Sequence, residues 1–272
     1  MSAKSASVAQ ILRADFARRA TAPELMDDPH SDRRRLERTL AQFARINRVF
    51  SRYGAALRGP ILHDAAAAGL KRFSVLDVGG GGGDIARRLV DDARRRGFNA
   101  EVTILEADPR VAAYARCMCA TYPQITVQEG SALELPPAHT PAAASTPGEE
   151  AYDYVISNHL LHHFRDEDLP ELLRRMCMAA RRLVIANDLL RSRPAAVAFA
   201  ALARLCFPDS FAAFDGALSI NKGFRPPELR AALARAGLTA PARVYTLIPG
   251  RVVAQLDLRH LRTSPASDRS TL

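Results

Sequence analysis

Residues 73–84, FSVLDVGGGGGD, place five consecutive glycines between an apolar, β-branched run and an acidic residue. A flexible linker would not be flanked by SVLDV on one side and DIARRLV on the other. The spacing predicts strand, turn and helix in direct succession. Glycines at such a turn let a ligand reach the amides of a helix N-terminus, an approach that side chains would block. The stretch is therefore a binding turn.

The residues after the last glycine narrow its ligand. A phosphate-binding P-loop needs Gly-Lys-Ser/Thr, and Asp84 and Ile85 stand there instead. The frame GGGDIA (81–86) does fit the G-x-G-x-x-A form, so on these residues alone NAD(P) or FAD stays open. Working outward, short β-branched runs alternate with helical ones, the pattern of a parallel sheet covered on both faces. Strands are predicted at FSVLDV, AEVTILEA, ITVQEG, YDYVISN and RRLVIAND, with helices at DIARRLVDDARRRG, DPRVAAYARCMCATY and DEDLPELLRRMCMAA between them. A helical insertion comes next at about 191–227, then the helix PPELRAALARAG and a hairpin in ARVYTLIPGRVVAQLDL, turning at Pro249 and Gly250. Residues 135–151 form a mobile Pro/Ala/Ser/Thr loop, and 261–272 a disordered tail. Residues 1–72 read as an almost wholly helical region. Within it, residues 31–59 carry Leu36, Leu40, Phe43, Ile46, Val49 and Phe50 at helical spacing, with Ser31 as N-cap and Gly59-Pro60 as the stop.

Composition bounds the functional class. The 272 residues are 48% hydrophobic and 25% charged, enough for one large core with a helical accessory region. No apolar run reaches the roughly 20 residues of a membrane span, and no secretory h-region opens the chain, so a cytoplasmic location is expected. The net charge is +9, and of 38 basic residues only Lys4, Lys71 and Lys222 are lysine, leaving 35 arginines. The arginine runs at 32–38 and 91–97 are interleaved with acids, as solvated helix faces are, so nucleic acid is not the expected partner. Cys117, Cys119, Cys177 and Cys206 lack the spacing of a zinc set, and no metal is expected.

The overlapping frame Asp77-x-Gly79-x-Gly81-x-Gly83 resembles motif I of the class I S-adenosylmethionine (SAM)-dependent methyltransferases. The similarity continues in family order through TILEADPRVAAYAR, EGSALELP, YDYVISNHLLHHF and SINKGFRPPELRAALARAGL, covering roughly residues 70–256. It implies a Rossmann-like, seven-stranded α/β sheet with an antiparallel C-terminal hairpin, residues 73–260 forming the SAM-binding domain and residues 1–72 a helical lid. It further implies that Glu106 binds both ribose hydroxyls, a task suited to a carboxylate. Asp77 would orient the methionine end, with Gly79, Gly81, Gly83, Ala107 and Asn158 completing the cofactor set. Where relatives carry Asp before Ala at the adenine, this chain has Ser131 and Ala132, so Ser131 or backbone amides would hold the base. The closing hairpin argues against a dehydrogenase, whose sheet continues parallel.

The acceptor is expected beyond the carboxyl ends of the strands, near NHLLHHF and NDLLRS. An oxygen acceptor benefits from a base of near-neutral pKa, which is histidine's range. By resemblance to O-methylating relatives, His162 or His163 would be that base and Asp188 its partner. His159, Phe211, Phe214 and Phe224 are expected to line an apolar acceptor pocket. The absence of Asn-Pro-Pro-Tyr/Phe/Trp after the fourth strand weighs against methylation of a nucleobase amine. The expected activity is O-methylation of a phenolic, quinone-like or polyketide metabolite. C-methylation in quinone biosynthesis, a SAM-binding scaffold or regulator, and RNA or protein methylation are the alternatives. The oligomeric state stays open, a homodimer included.

Overall fold

A computed structural model describes residues 8–135, 151–207, 209–240 and 242–259. The expected tail at 261–272, and all of the expected loop but its end residues Leu135 and Ala151, lie outside the described residues.

The strands are β1 (Arg72–Val78), β2 (Asn99–Glu106), β3 (Ile125–Glu129), β4 (Tyr152–Asn158), β5 (Ala180–Leu189), β6 (Ala242–Leu247) and β7 (Arg251–Asp257). They form one sheet in the order β3-β2-β1-β4-β5-β7-β6, the first five parallel and β7 antiparallel to both its neighbours. The expected α/β architecture and closing hairpin are both present. Around the sheet run α1 (Val8–Arg13), α2 (Arg33–Phe50), α3 (Gly59–Ala67), α4 (Asp84–Arg95) and α5 (Pro109–Cys119), then α6 (Leu169–Met178), α7 (Arg193–Cys206), α8 (Ala212–Lys222) and α9 (Pro226–Arg235). Val75, Ile104 and Tyr154 pack with Leu57, Ile61 and Leu89 on one face of the sheet. Val78, Val155 and Val184 pack with Leu172, Met176 and Leu229 on the other. β1 pairs with both β2 and β4, so the chain changes direction across the sheet there, and a crevice opens at the carboxyl ends of β1 and β4. Among the described residues no helix is long and apolar enough to cross a membrane.

The N-terminal region departs from the sequence reading. Residues 14–32 are not helical; they run as an irregular strap between α1 and α2. The cap of α2 is Asp32, whose carboxylate accepts from the Arg35 amide at 2.7 Å, in place of Ser31. The helix also stops earlier than expected, where the Ser51 hydroxyl donates to the Asn47 carbonyl and Arg52 turns to φ 53°. A serine that bonds its own preceding turn competes with the helix ladder. Gly59 and Pro60 begin α3 after a π-helical turn, Gly54–Arg58, because proline loses no hydrogen bond in a first turn. Val49 lies on the outer side of α2, 66% exposed, and takes no part in its packing.

Candidate active site

The binding turn needs its glycines for two separate reasons. Gly79, Gly81 and Gly83 adopt φ of 66°, 54° and 71°, the left-handed region that side chains disfavour. A Cβ on Gly79 would stand 2.5 Å from the Leu160 Cδ1, and one on Gly80 would stand 2.9 Å from an Asp77 oxygen. Gly79 and Gly81 line the crevice, whereas Gly83 faces Cys119 in the protein interior.

Three carboxylates surround this turn. Asp77 is fully buried with neither oxygen hydrogen-bonded, and burial, reinforced by Asp84 and Glu106, pushes its pKa well above the usual range. Glu106, at the end of β2, accepts from the amides of Gly81 (3.1 Å) and Asp108 (3.2 Å); burial still raises its pKa. Asp84 accepts from the Asn47 amide at 3.3 Å and is raised by burial too. Such a cluster attracts a cationic ligand and repels a pyrophosphate, which disfavours the dinucleotide reading. An ammonium or sulfonium fits beside Asp77, and a diol fits against Glu106. Ala107 and Asn158 also line the crevice. Ser131 and Ala132 do not line it, and the Ser131 hydroxyl accepts from the Leu133 amide at 3.2 Å, capping the short turn Ala132–Glu134.

The crevice widens past Asn158 into a cavity of about 1000 Å³ in all. That is the upper end of the roughly 300–1,000 Å³ found for single ligands, room for a cofactor and a second small molecule together. His162 lies in a short turn, Leu161–His163, after β4, and Asp188 lies near the end of β5. The His162 Nδ1 stands 2.7 Å from the Asp188 Oδ1, and the Asp188 carboxylate also accepts from the amides of His162 and Leu189. Of the two candidate histidines it is His162 that meets Asp188. His163 is partly exposed and lies 3.4 Å from Asp27.

Glu24, from the strap, was not found from sequence. Its carboxylate stands 3.6 Å from the His162 Nε2 and accepts from Lys222 (3.1 Å) and Ser219 (2.9 Å). Burial works against charge on His162, but Asp188 and Glu24 overcome it and raise the pKa to about 9. Burial likewise opposes charge on Glu24 and Asp188, yet the facing histidines hold both well below the usual carboxylate range. Glu24, His162 and His163 bring ligand atoms within 4.8 Å of one another, but the Lys222 ammonium already neutralises Glu24.

The expected aromatic wall is placed differently. Phe211 packs with Leu36, Leu40 and Val111, and Phe214 packs with Ile11 and Ala217. Phe224 is fully buried in the sheet core beneath the Arg19 guanidinium. None of the three lines the cavity, whereas His159 does, with Phe43, Phe50, Phe164 and Phe199. Phe43 and Phe50 were visible in sequence as part of the apolar stripe of α2, without a sign that they face a cavity.

Residues 75–183 match the family described as "Methyltransferase domain". No curated protein matches the chain. Among solved structures, human N-acetylserotonin methyltransferase in complex with SAM is similar with a TM-score of 0.54 at 17% identity, over 92% of this chain and 65% of that one. A Methanococcus maripaludis protein assigned as an S-adenosyl-L-methionine-dependent methyltransferase gives 0.53 at 11% identity, over 81% and 92%. Synechocystis magnesium protoporphyrin IX methyltransferase with bound S-adenosylhomocysteine gives 0.48 at 14% identity, over 76% and 83%. At these identities the likeness is one of fold.

Proposed function

We propose, for a chain whose residues 75–183 match a methyltransferase domain, that it transfers a methyl group from SAM to a hydroxyl of a small phenolic, quinone-like or polyketide metabolite. The observation that carries this reading is the buried His162–Asp188 pair on the cavity wall, with the Nε2 side of the ring turned toward Glu24 and the cavity. SAM, when bound, supplies a methyl group activated on a sulfonium. Glu106 would receive its ribose hydroxyls, Asp77 and Asp84 would face its positive charge, and Gly79, Gly81, Ala107 and Asn158 would shape its bed. Gly83 holds the turn from behind.

The protein's own residues then handle the proton. With Asp188 bound at Nδ1, neutral His162 keeps its proton there and presents a lone pair at Nε2. An acceptor hydroxyl that reaches Nε2 from the cavity gives its proton to His162 as its oxygen becomes the nucleophile. Asp188 and Glu24 stabilise the imidazolium so formed. The strap, through Glu24 and Met26, and the insertion, through Phe199 and Leu202, wall this end of the cavity and exclude water, which serves alignment in an in-line displacement. His163 with Asp27 stands beside the base, toward the cavity mouth.

The test is calorimetric titration with S-adenosylhomocysteine of the wild type and Glu106→Ala, then turnover of labelled SAM with hydroxylated aromatic acceptors. Saturable binding that Glu106→Ala loses, and a methoxy product that His162→Ala no longer forms, are expected. An absence of nucleoside binding would refute the cofactor assignment, and full turnover by His162→Ala would refute the base.

A further inference from the structure

Arg251 opens β7, opposite Leu189 of β5, and lines the cavity together with His159. It is only 2% exposed. The Nε donates to the Phe50 carbonyl at 2.7 Å, but Nη1 has no partner among the described residues. Asp188 is the acid whose charge it feels, and that carboxylate is already engaged by His162 and two amides. Burial depresses the guanidinium pKa to about 10, as happens to a buried cation without a counter-ion. Beside it His159 is held at φ 66°, a left-handed conformation uncommon outside glycine, with its Nε2 buried and unpartnered. Burial and the Arg251 charge keep that imidazole neutral, so its ring remains able to donate one hydrogen bond. An unpaired buried guanidinium is costly to a fold, and here it borders a cavity next to a second unsatisfied, strained side chain.

We propose that Arg251 and His159 form a carboxylate-binding subsite of the acceptor pocket, so that the acceptor is an acid bearing both a reacting hydroxyl and a carboxylate. This rests on the methyltransferase reading given above. A carboxylate suits the site better than a phosphate does. One guanidinium nitrogen and one neutral imidazole match a singly charged oxyanion, while Asp77, Asp84, Glu106 and Glu24 around the same cavity would repel a doubly charged group. The same chemistry could be offered by the amino-acid end of the cofactor, and the experiment separates the two sources.

The wild type, Arg251→Met and Arg251→Gln would be titrated with S-adenosylhomocysteine and with 5′-methylthioadenosine, which lacks the carboxylate. The melting temperature of each nucleoside-saturated protein would then be tracked as acetate or 4-hydroxybenzoate replaces chloride at constant ionic strength. The expected result is unchanged nucleoside binding in both variants. Carboxylates would stabilise the wild type, and their affinity would fall about tenfold or more in the variants, the scale of a lost charged hydrogen bond. Arg251→Met, relieved of an unpaired charge, would melt at or above the wild type in chloride. Weaker binding of S-adenosylhomocysteine alone, with methylthioadenosine unaffected, would overturn the acceptor assignment in favour of the cofactor's carboxylate. A wild type that carboxylates do not stabilise, or variants that respond as the wild type does while melting lower, would overturn the subsite and reduce Arg251 to a cap on Phe50. Failure of both nucleosides to bind the wild type would instead indict the methyltransferase reading.

Discussion

A histidine held between two acids is charged when it should be a base, and this fixes how His162 should answer to pH. Its pKa of about 9 means that the neutral, proton-accepting form is scarce at pH 7 and grows as pH rises. Turnover per active site should therefore climb with pH toward a limb near 9. Glu24→Gln removes one of the two raising charges and should move that limb downward, which kcat/KM profiles of the two proteins would reveal; coincident profiles would show that Glu24 does not act on His162. The same shift sets a stability prediction of definite sign. A group raised from 6.5 to about 9 on folding stabilises the protein fully below pH 6.5 and loses that contribution as pH rises through 9. Wild type should thus exceed His162→Gln in melting temperature most at pH 6 and least at pH 9.5. Rate should fall by about 10²–10⁴ in His162→Ala, the usual range for a lost general base. Asp188 and the pair His162 and His163 were legible through the family resemblance, because they sit at or just past the carboxyl ends of recognisable strands. Glu24 and Arg251 were not, because their facing one cavity depends on how segments distant in sequence fold back over the strand ends.

At the scale of elements, the sheet and the binding turn were legible because β-branched runs and glycines act locally. The stop of α2 was missed because Ser51 and Arg52 break a helix whose apolar spacing continues through them. α8 falls inside the helical insertion expected at about 191–227, although its own bounds were not read from the sequence. In the structure it is pressed against α7 so closely that a Cβ on Gly216 would stand 2.0 Å from the Phe199 ring. Gly216→Ala therefore sets two effects against each other. Alanine gains about 1 kcal/mol of helix propensity over glycine, while forced overpacking costs about 1–3 kcal/mol. The clash should win, lowering the melting temperature and displacing Phe199 at the cavity wall while S-adenosylhomocysteine binding at the distant turn stays as in wild type. A raised melting temperature would mean that α7 and α8 yield freely. Gly79→Ala should show the opposite selectivity. It combines a left-handed φ with a contact on Leu160 inside the crevice, so nucleoside affinity should drop roughly tenfold or more if about 1–2 kcal/mol of backbone strain is relieved by shifting the turn.

For the whole molecule, the strap walls one end of the cavity, and it is fastened by arginines as well as by the apolar packing of Phe16, Leu25 and Met26. Arg191 is buried and donates to the carbonyls of Phe16 and Ala17 while pairing with Glu228. Arg19 reaches the carbonyls of Lys222, His162 and Phe164 and pairs with Asp166. Asp215 receives the amides of Leu25 and Met26. At the cofactor end the fastening is Arg110, which pairs with Asp108 and donates to the carbonyls of Met26, Asp28 and Pro29 and to the Ser31 hydroxyl. These bonds tie the loop ahead of α2 to the N-terminus of α5, directly beside the ribose-binding Glu106 in the proposed mechanism. Arg110→Ala should leave the sheet core, and hence the global melting temperature, little changed, since the side chain packs against none of the core clusters. It should loosen the segment 26–32 locally, at about 1 kcal/mol for each hydrogen bond lost. Trypsin should then cut at the Arg33–Arg35 run several times faster than in wild type. Acceptor turnover should fall through KM, because Glu24 and Asp27 ride on the same strap, while His162 and Asp188 remain in place. Cleavage and KM both unchanged would show that the remaining fastenings at Arg19, Arg191 and Asp215 hold the strap without Arg110.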